Sequence, residues 1–232
     1  MATSTLSPSS LSARRTTIAM KLVMALTGAF FVFYVIAHMY GNLKAFAGAE
    51  AFNEYSHHLR VLGDPILPDG GFLWIMRLLL IGALVAHVYS AFYLWSRAQG
   101  ARTTKYAVKK AAATTLSARF MRWGGVTLLL FLVFHLLQFT TNTIRVNGDY
   151  DNPFQRLVAG FQVWWVVVIY LLALGALAMH LRHGVWSASQ TLGWTNSARS
   201  RALANRTGVI IAAVVSIGFA LVPLSVLFGI VK

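Results

Sequence analysis

The chain has 232 residues, 57% of them hydrophobic and 11% charged, with a formal net charge of +14 and no cysteine. A soluble domain needs a charged surface. Several uncharged runs of ~18 residues or more point instead to an integral membrane protein with little soluble mass. The missing cysteine excludes disulfides, thiolate-held iron–sulfur clusters, CxxCH haem attachment and a cysteine nucleophile. The positive-inside bias accounts for the basic surplus without nucleic acid.

Residues 1–16 (MATSTLSPSSLSARRT) read as a polar cytoplasmic tail, and residues 17–232 as one domain. The apolar run after Arg14 and Arg15 is too long for a signal peptide and reads as the first span, about 18–43, with His38 toward its far end. Residues 45–71 hold Glu50, Glu54, Asp64, Asp69, two prolines and Gly70-Gly71, which is turn chemistry. The second span, about 72–97, carries His87, and Arg77 in its first turns is placed to snorkel. A basic loop follows with Arg97, Arg102, Lys105, Lys109, Lys110, Arg119 and Arg122. The third span, about 122–144, carries His135, and the loop VNGDYDNP brings Asp149 and Asp151. The fourth, about 154–185, carries His180 and then Arg182, His183 and Gly184. After Arg199, Arg201 and Arg206 comes a fifth span, about 207–231, with no histidine. The fold class is all-α: a bundle of five transmembrane helices. Five spans put the termini on opposite sides. Most cations fall on the N-terminal side and all six acids on the other, which places the N-terminus in the cytoplasm and the C-terminus outside.

Ionisable side chains inside a membrane are costly and usually functional. A single buried histidine is as easily a cross-helix hydrogen bond as a ligand. One on each of four consecutive spans suggests His38, His87, His135 and His180 as axial ligands of two b-type haems in the bundle core. Depth favours His87 with His180 toward the cytoplasm and His38 with His135 toward the outside. His87 and His135 are also close in depth, so depth does not settle the pairing. His183, three residues after His180, competes with it as ligand. The deeper His180 is preferred because a buried imidazole has more to gain from a metal, leaving Arg182 and His183 as partners for haem propionates. Gly41 and Gly184 lie on the faces of His38 and His180 and either make room for a flat macrocycle or serve ordinary helix packing. His58 and Arg60 in the outer loop are candidates beside a quinone headgroup, against the simpler reading of a solvated loop.

The segments KLVMALTG (21–28), HMYGNLKAF (38–46), FNEYSHHLR (52–60) and HLRHGVWSASQTLGW (180–194) resemble the cytochrome b membrane anchor of succinate dehydrogenase, of the single-chain, five-helix, di-haem type found in Gram-positive and related bacteria. The resemblance covers essentially residues 15–230. Its most specific part is the spacing of His180, Gly184, Trp186-Ser187 and Gly193. It implies His180 rather than His183 as ligand, and the pairs His87/His180 and His38/His135. It also implies a multi-pass protein of a bacterial plasma membrane with a flavoprotein and an iron–sulfur subunit on its cytoplasmic face. Electrons from succinate would pass through two haems to a quinone, plausibly menaquinone. The chain has no flavin motif, so it would carry no succinate chemistry itself. One departure stands out: the only glutamates, Glu50 and Glu54, lie in the outer loop, which speaks against a glutamate proton path across the membrane. The competing readings are a di-haem anchor of another respiratory dehydrogenase or a fumarate reductase, a histidine-containing proton or metal transporter, and a structural anchor that has lost haem. A transporter expects polar lining and paired repeats, and neither is visible.

Overall fold

A computed structural model describes the backbone at residues 8–100 and 116–232, and side chains at 16–100 and 120–232. Arg102, Lys105, Lys109 and Lys110 of the basic loop lie outside the described residues, as do the side chains of Arg14, Arg15 and Arg119. The described chain is helical, with no strand: α1 (Pro8–Leu43), a 3-10 turn (Lys44–Ala47), α2 (Ala49–Val61), α3 (Gly71–Gly100), α4 (Leu116–Phe139), α5 (Pro153–Phe161), α6 (Trp164–Thr191) and α7 (Ala198–Leu227). Five stretches are long and apolar enough to cross a membrane: Thr16–Ala47, Gly71–Gly100, Phe120–Phe139, Trp164–Thr191 and Ala198–Leu227. The protein is a multi-pass helical membrane bundle.

The boundaries differ from the sequence reading in several places; α6 runs on to Thr191 rather than 185, and α7 starts at Ala198 rather than about 207 and ends at Leu227 rather than 231. Helix α1 begins at Pro8, inside the stretch expected to be a loose tail. Proline suits a first helical turn, and Leu11, Ala13, Arg14 and Arg15 are good helix formers. The outer connection, read as turns, contains the amphipathic helix α2, opened by Gly48 at a φ of 95°. The third span stops at Phe139 rather than 144. There Thr140 and Thr141 N–H both donate to the Leu136 carbonyl, and Asn142 turns left-handed at φ 55°. The fourth span is two helices. Asn152 caps α5, its side chain accepting from the Gln155 N–H, and Pro153 follows the cap. Phe154, Leu157, Val158 and Phe161 then bury one face at helical spacing. The chain breaks at Val163, whose extended φ/ψ of −94°/111° re-aims α6 along the bundle.

Call the end of the bundle that bears the acids the acidic end, and the opposite one the basic end. The dry core lies at the acidic end. Ala45, Val146, the buried face of α5, Val166, Val167 and Tyr170 of α6, and Val222 and Val226 of α7 pack together there. A smaller cluster of Leu181, Ala212 and Val215 joins α6 to α7. Helix α3 buries a single residue, Ser90. The main helix packings are α1 on α3, α6 and α7, and α6 on α4 and α7.

Two glycines let backbones approach closely, as small residues do in membrane bundles. A Cβ at Gly218 would collide with the Met39 sulfur, and one at Gly208 would lie 2.7 Å from the Arg182 carbonyl oxygen. A side chain end can swing aside, but a helix carbonyl cannot. Gly208→Ala is therefore expected to lower the thermal unfolding midpoint in detergent, at a cost on the order of 1–3 kcal/mol for overpacking. Gly175→Ala, facing open space on α6, should leave the midpoint unchanged or slightly raised.

Candidate functional site

Four helices bring the four intramembrane histidines together as two pairs. His87 of α3 faces His180 of α6 with ring centroids 6.2 Å apart. His38 of α1 faces His135 of α4 at 5.9 Å. Two imidazoles bound on opposite sides of one metal stand with ring centres roughly 6 Å apart, because each metal–nitrogen bond is ~2 Å and each ring adds about 1 Å. Both pairs have that separation. Among the described residues no group of three or more His, Asp or Glu side chains converges as a metal-ion cage requires. The arrangement suits a group that brings most of its own ligands and takes two from the protein.

Hydrogen bonds orient one ring of each pair. The Thr27 hydroxyl donates to the Val23 carbonyl at 2.7 Å, so its oxygen accepts from His87 Nδ1, 3.0 Å away. The Tyr170 hydroxyl lies 3.0 Å from His135 Nδ1 and donates to Gln138 Oε1 at 3.0 Å. Each bond puts the ring hydrogen on Nδ1 and leaves the Nε2 lone pair free. The other two rings are held differently. His38 stacks on Tyr34, with centroids 5.5 Å apart and planes 9° from parallel, and touches Phe219. His180 Nδ1 is buried with no hydrogen-bond partner.

A large chamber, about 2710 Å³ and partly open to the outside of the bundle, is lined by all four histidines. Drug-sized pockets are ~300–1,000 Å³. Most of the chamber wall is apolar. Polar groups gather at the two ends. At the basic end are Lys21, Arg122, His183 and the buried, unpartnered Trp95 indole N–H. At the acidic end are Asn42, Ser56, Arg77 and Arg156. Arg156 donates from Nη1 to the Phe139 carbonyl at 3.0 Å, while its Nε is buried without a partner.

Of the two readings offered for Gly41 and Gly184, Gly41 takes helix packing. Gly41 faces α2: a Cβ there would lie 2.8 Å from the Tyr55 ring. Burial raises the Tyr55 hydroxyl above its ordinary range, with Tyr40 adding to the rise and Lys44 opposing it. Gly184 does line the chamber, in open space. The residues opposite the His87 and His180 imidazoles are Gly28 of α1, 3.5 Å from His87 Cε1 by its would-be Cβ, and Gly125 of α4, 3.6 Å from His180 Cε1. Helices α1 and α4 thus play the same double part. Each gives a glycine to one pair and a histidine to the other, Gly28 with His38 and Gly125 with His135. Ten residues separate the two in each helix, about 15 Å at 1.5 Å per residue.

The remaining sequence candidates divide. His183 lines the chamber and packs on Trp186, with centroids 5.7 Å apart. Arg182 does not line it; its carbonyl meets Gly208 of α7. His58 and Arg60 are exposed on α2 and off the chamber wall, whereas Phe52 and Ser56 of the same helix are on it. A helical residue two positions on points to a different face, and the segment, read as loop, gave no face to choose. Thr27, Tyr170, Gln138, Arg156, Gly28 and Gly125 were all missed. Only Gln138, three residues after His135, had a visible signal.

Comparison of the chain with protein-family models, with curated proteins and with solved structures gives no match.

Leucine at Gly125 would fill the space beside His180, and leucine at Gly28 the space beside His87. Were the two histidine pairs haem sites, each variant would bind about half as much haem as the parent in reconstitution followed by absorption. Gly82→Leu, on α3 in open space and off the chamber wall, should bind as the parent does.

Proposed function

We propose that this protein is a di-haem cytochrome b of the membrane, a carrier of electrons between its two ends. More particularly, we propose that it is the membrane anchor of a succinate dehydrogenase, linking an iron–sulfur subunit on the cytoplasmic side to a membrane quinone, plausibly menaquinone. The observation that carries the first step is the pair of imidazole pairs at axial-ligand separation inside an apolar chamber. The second step rests on the sequence segments around His38, in 52–60 and around His180.

The residues present fit such a group. His87 with His180, and His38 with His135, would hold one haem each. The glycines at 28 and 125 leave the flanks of the inner pair clear. Lys21, Arg122, His183 and the Trp95 indole N–H would take anionic propionates at the basic end, and Arg156 and Arg77 would do so at the acidic end. When bound, two haems supply one-electron carriers at two depths of the membrane. The chain's own work is to hold them there, to keep water out with its aromatic and aliphatic wall, and to fix the imidazole tautomers. The basic end, with Lys21, Arg97, Arg122, Arg199, Arg201 and Arg206, would face the cytoplasm and receive the partner subunits.

The histidines should act in pairs. Alanine at His87 or His180 is expected to cut the haem content of the assembled protein from two per chain to one, and alanine at His38 or His135 to remove the other. His183→Ala should keep both. Pyridine haemochrome analysis checks this series. Loss of a haem from His183→Ala, with both kept in His180→Ala, would reverse the ligand assignment.

Quinone reduction belongs at the acidic, outer end, where Asn42, Ser56 and Arg77 line the chamber and replace His58 and Arg60 as the candidate headgroup partners. An electron moving outward is assisted by ~2.3 kcal/mol per 100 mV of membrane potential, which matters for a low-potential acceptor. Succinate:menaquinone activity in sealed, correctly oriented vesicles is expected to fall when an uncoupler is added. Activity that is unchanged or raised would move the quinone site to the basic end, near Lys21 and His183.

A further inference from the structure

The two pairs differ in what stands behind the oriented ring. Behind His87 is one threonine hydroxyl, spent on its own helix carbonyl. Behind His135 is a relay of two side chains, Tyr170 and Gln138, both buried at 8% and 2% exposure. Tyr170 is held edge-on by Phe131 and Phe161, each with centroids 4.9 Å from its own. Gln138 is pressed against Gly160, where a Cβ would lie 2.8 Å from its Nε2.

The relay has a direction. Tyr170 has one hydroxyl proton, and it goes to Gln138 Oε1, 3.0 Å away. The phenol oxygen must then accept from His135 Nδ1. The opposite amide orientation would present Nε2 to the hydroxyl and turn the Tyr170 proton onto Nδ1. The ring hydrogen would then sit on Nε2, where no metal binds. Gln138 thus governs the tautomer of a histidine it does not touch.

We propose that Tyr170 and Gln138 are positioning residues for the outer haem: together they lock His135 in the Nδ1–H tautomer and make it a stronger electron donor to the iron than its counterparts. This inference rests on the di-haem reading above. A hydrogen bond accepted from the far nitrogen raises the basicity of a ligating imidazole. A more basic axial ligand favours the oxidised iron, and so sets the outer potential lower than the pocket alone would. Loss of the phenol and loss of the amide then have different consequences. In Tyr170→Phe the ring keeps its cage, nothing competes for Nδ1, and His135 still ligates, more weakly donating. In Gln138→Leu the phenol proton has lost its acceptor, and within this apolar cage it turns to Nδ1. The tautomer then opposes ligation.

The test is potentiometric titration with haem analysis on three purified full-length variants in their assembled complex. Tyr170→Phe is expected to retain two haems, with an upward shift in the midpoint of one and none in the other. Gln138→Leu should fall from two haems per chain toward one. The double variant Gln138→Leu/Tyr170→Phe should regain the second haem, because removing the phenol removes the competing proton. A merely structural role predicts the reverse, with the double variant no better than Gln138→Leu. That result, or both midpoints unmoved in Tyr170→Phe, would overturn the proposal. A parent protein without haem would instead overturn the di-haem reading itself.

Discussion

An imidazole cannot be left alone in hydrocarbon. Its two nitrogens are strong hydrogen-bonding groups, and an unsatisfied buried polar atom costs ~1–3 kcal/mol. This chain carries four such rings, and they meet in pairs across the interior. The surrounding structure answers to them. Thr27 and the Tyr170–Gln138 relay satisfy the outward-facing nitrogen of one ring in each pair. Tyr34 and Phe219 confine His38 by stacking and contact. The His180 Nδ1 is buried without a partner.

The same constraint explains why the bundle has its core in an unusual place. A membrane bundle usually packs small residues along its centre. Here α7 approaches its neighbours closely at Gly208 and Gly218, and the dense apolar core is displaced to the acidic end. There α5 forms a buried shelf, fixed to α2 by a hydrogen bond from the Phe154 N–H to Asn53 Oδ1 at 3.1 Å. α7, which has no histidine, supplies the rigid back wall through its contacts with α1 and α6. The chamber lies beside these contacts, and the spacing of its two histidine pairs is written into α1 and α4 as a glycine and a histidine ten residues apart.

The apolar runs made the five spans and the all-helical class legible, because hydrocarbon thickness imposes a length on any spanning helix. The four histidines stood out because charge and polarity are so scarce around them. What hydropathy does not encode is direction. The break at Val163 lies in an apolar stretch with no proline or charge to announce it, so α5 and α6 read as one span. α2 reads as loop because its turn-forming neighbours, Gly48 and Gly63, mask a 13-residue amphipathic helix. Faces were equally hidden. Gly41 follows His38 by three residues, yet the chain beyond α1 folds Tyr55 back onto it. Thr27 is 60 residues from His87, and Tyr170 is 35 from His135. Partners that far apart are set by tertiary packing alone.

The visible absorption spectrum of the purified, full-length protein tests the central claim most directly. The account predicts the sharp bands of reduced low-spin b-type haem, at an intensity corresponding to two haems per chain, with both irons six-coordinate and slow to bind carbon monoxide. A protein correctly inserted and folded but with no absorption beyond its aromatic side chains would contradict it. The paired imidazoles would then need a different guest.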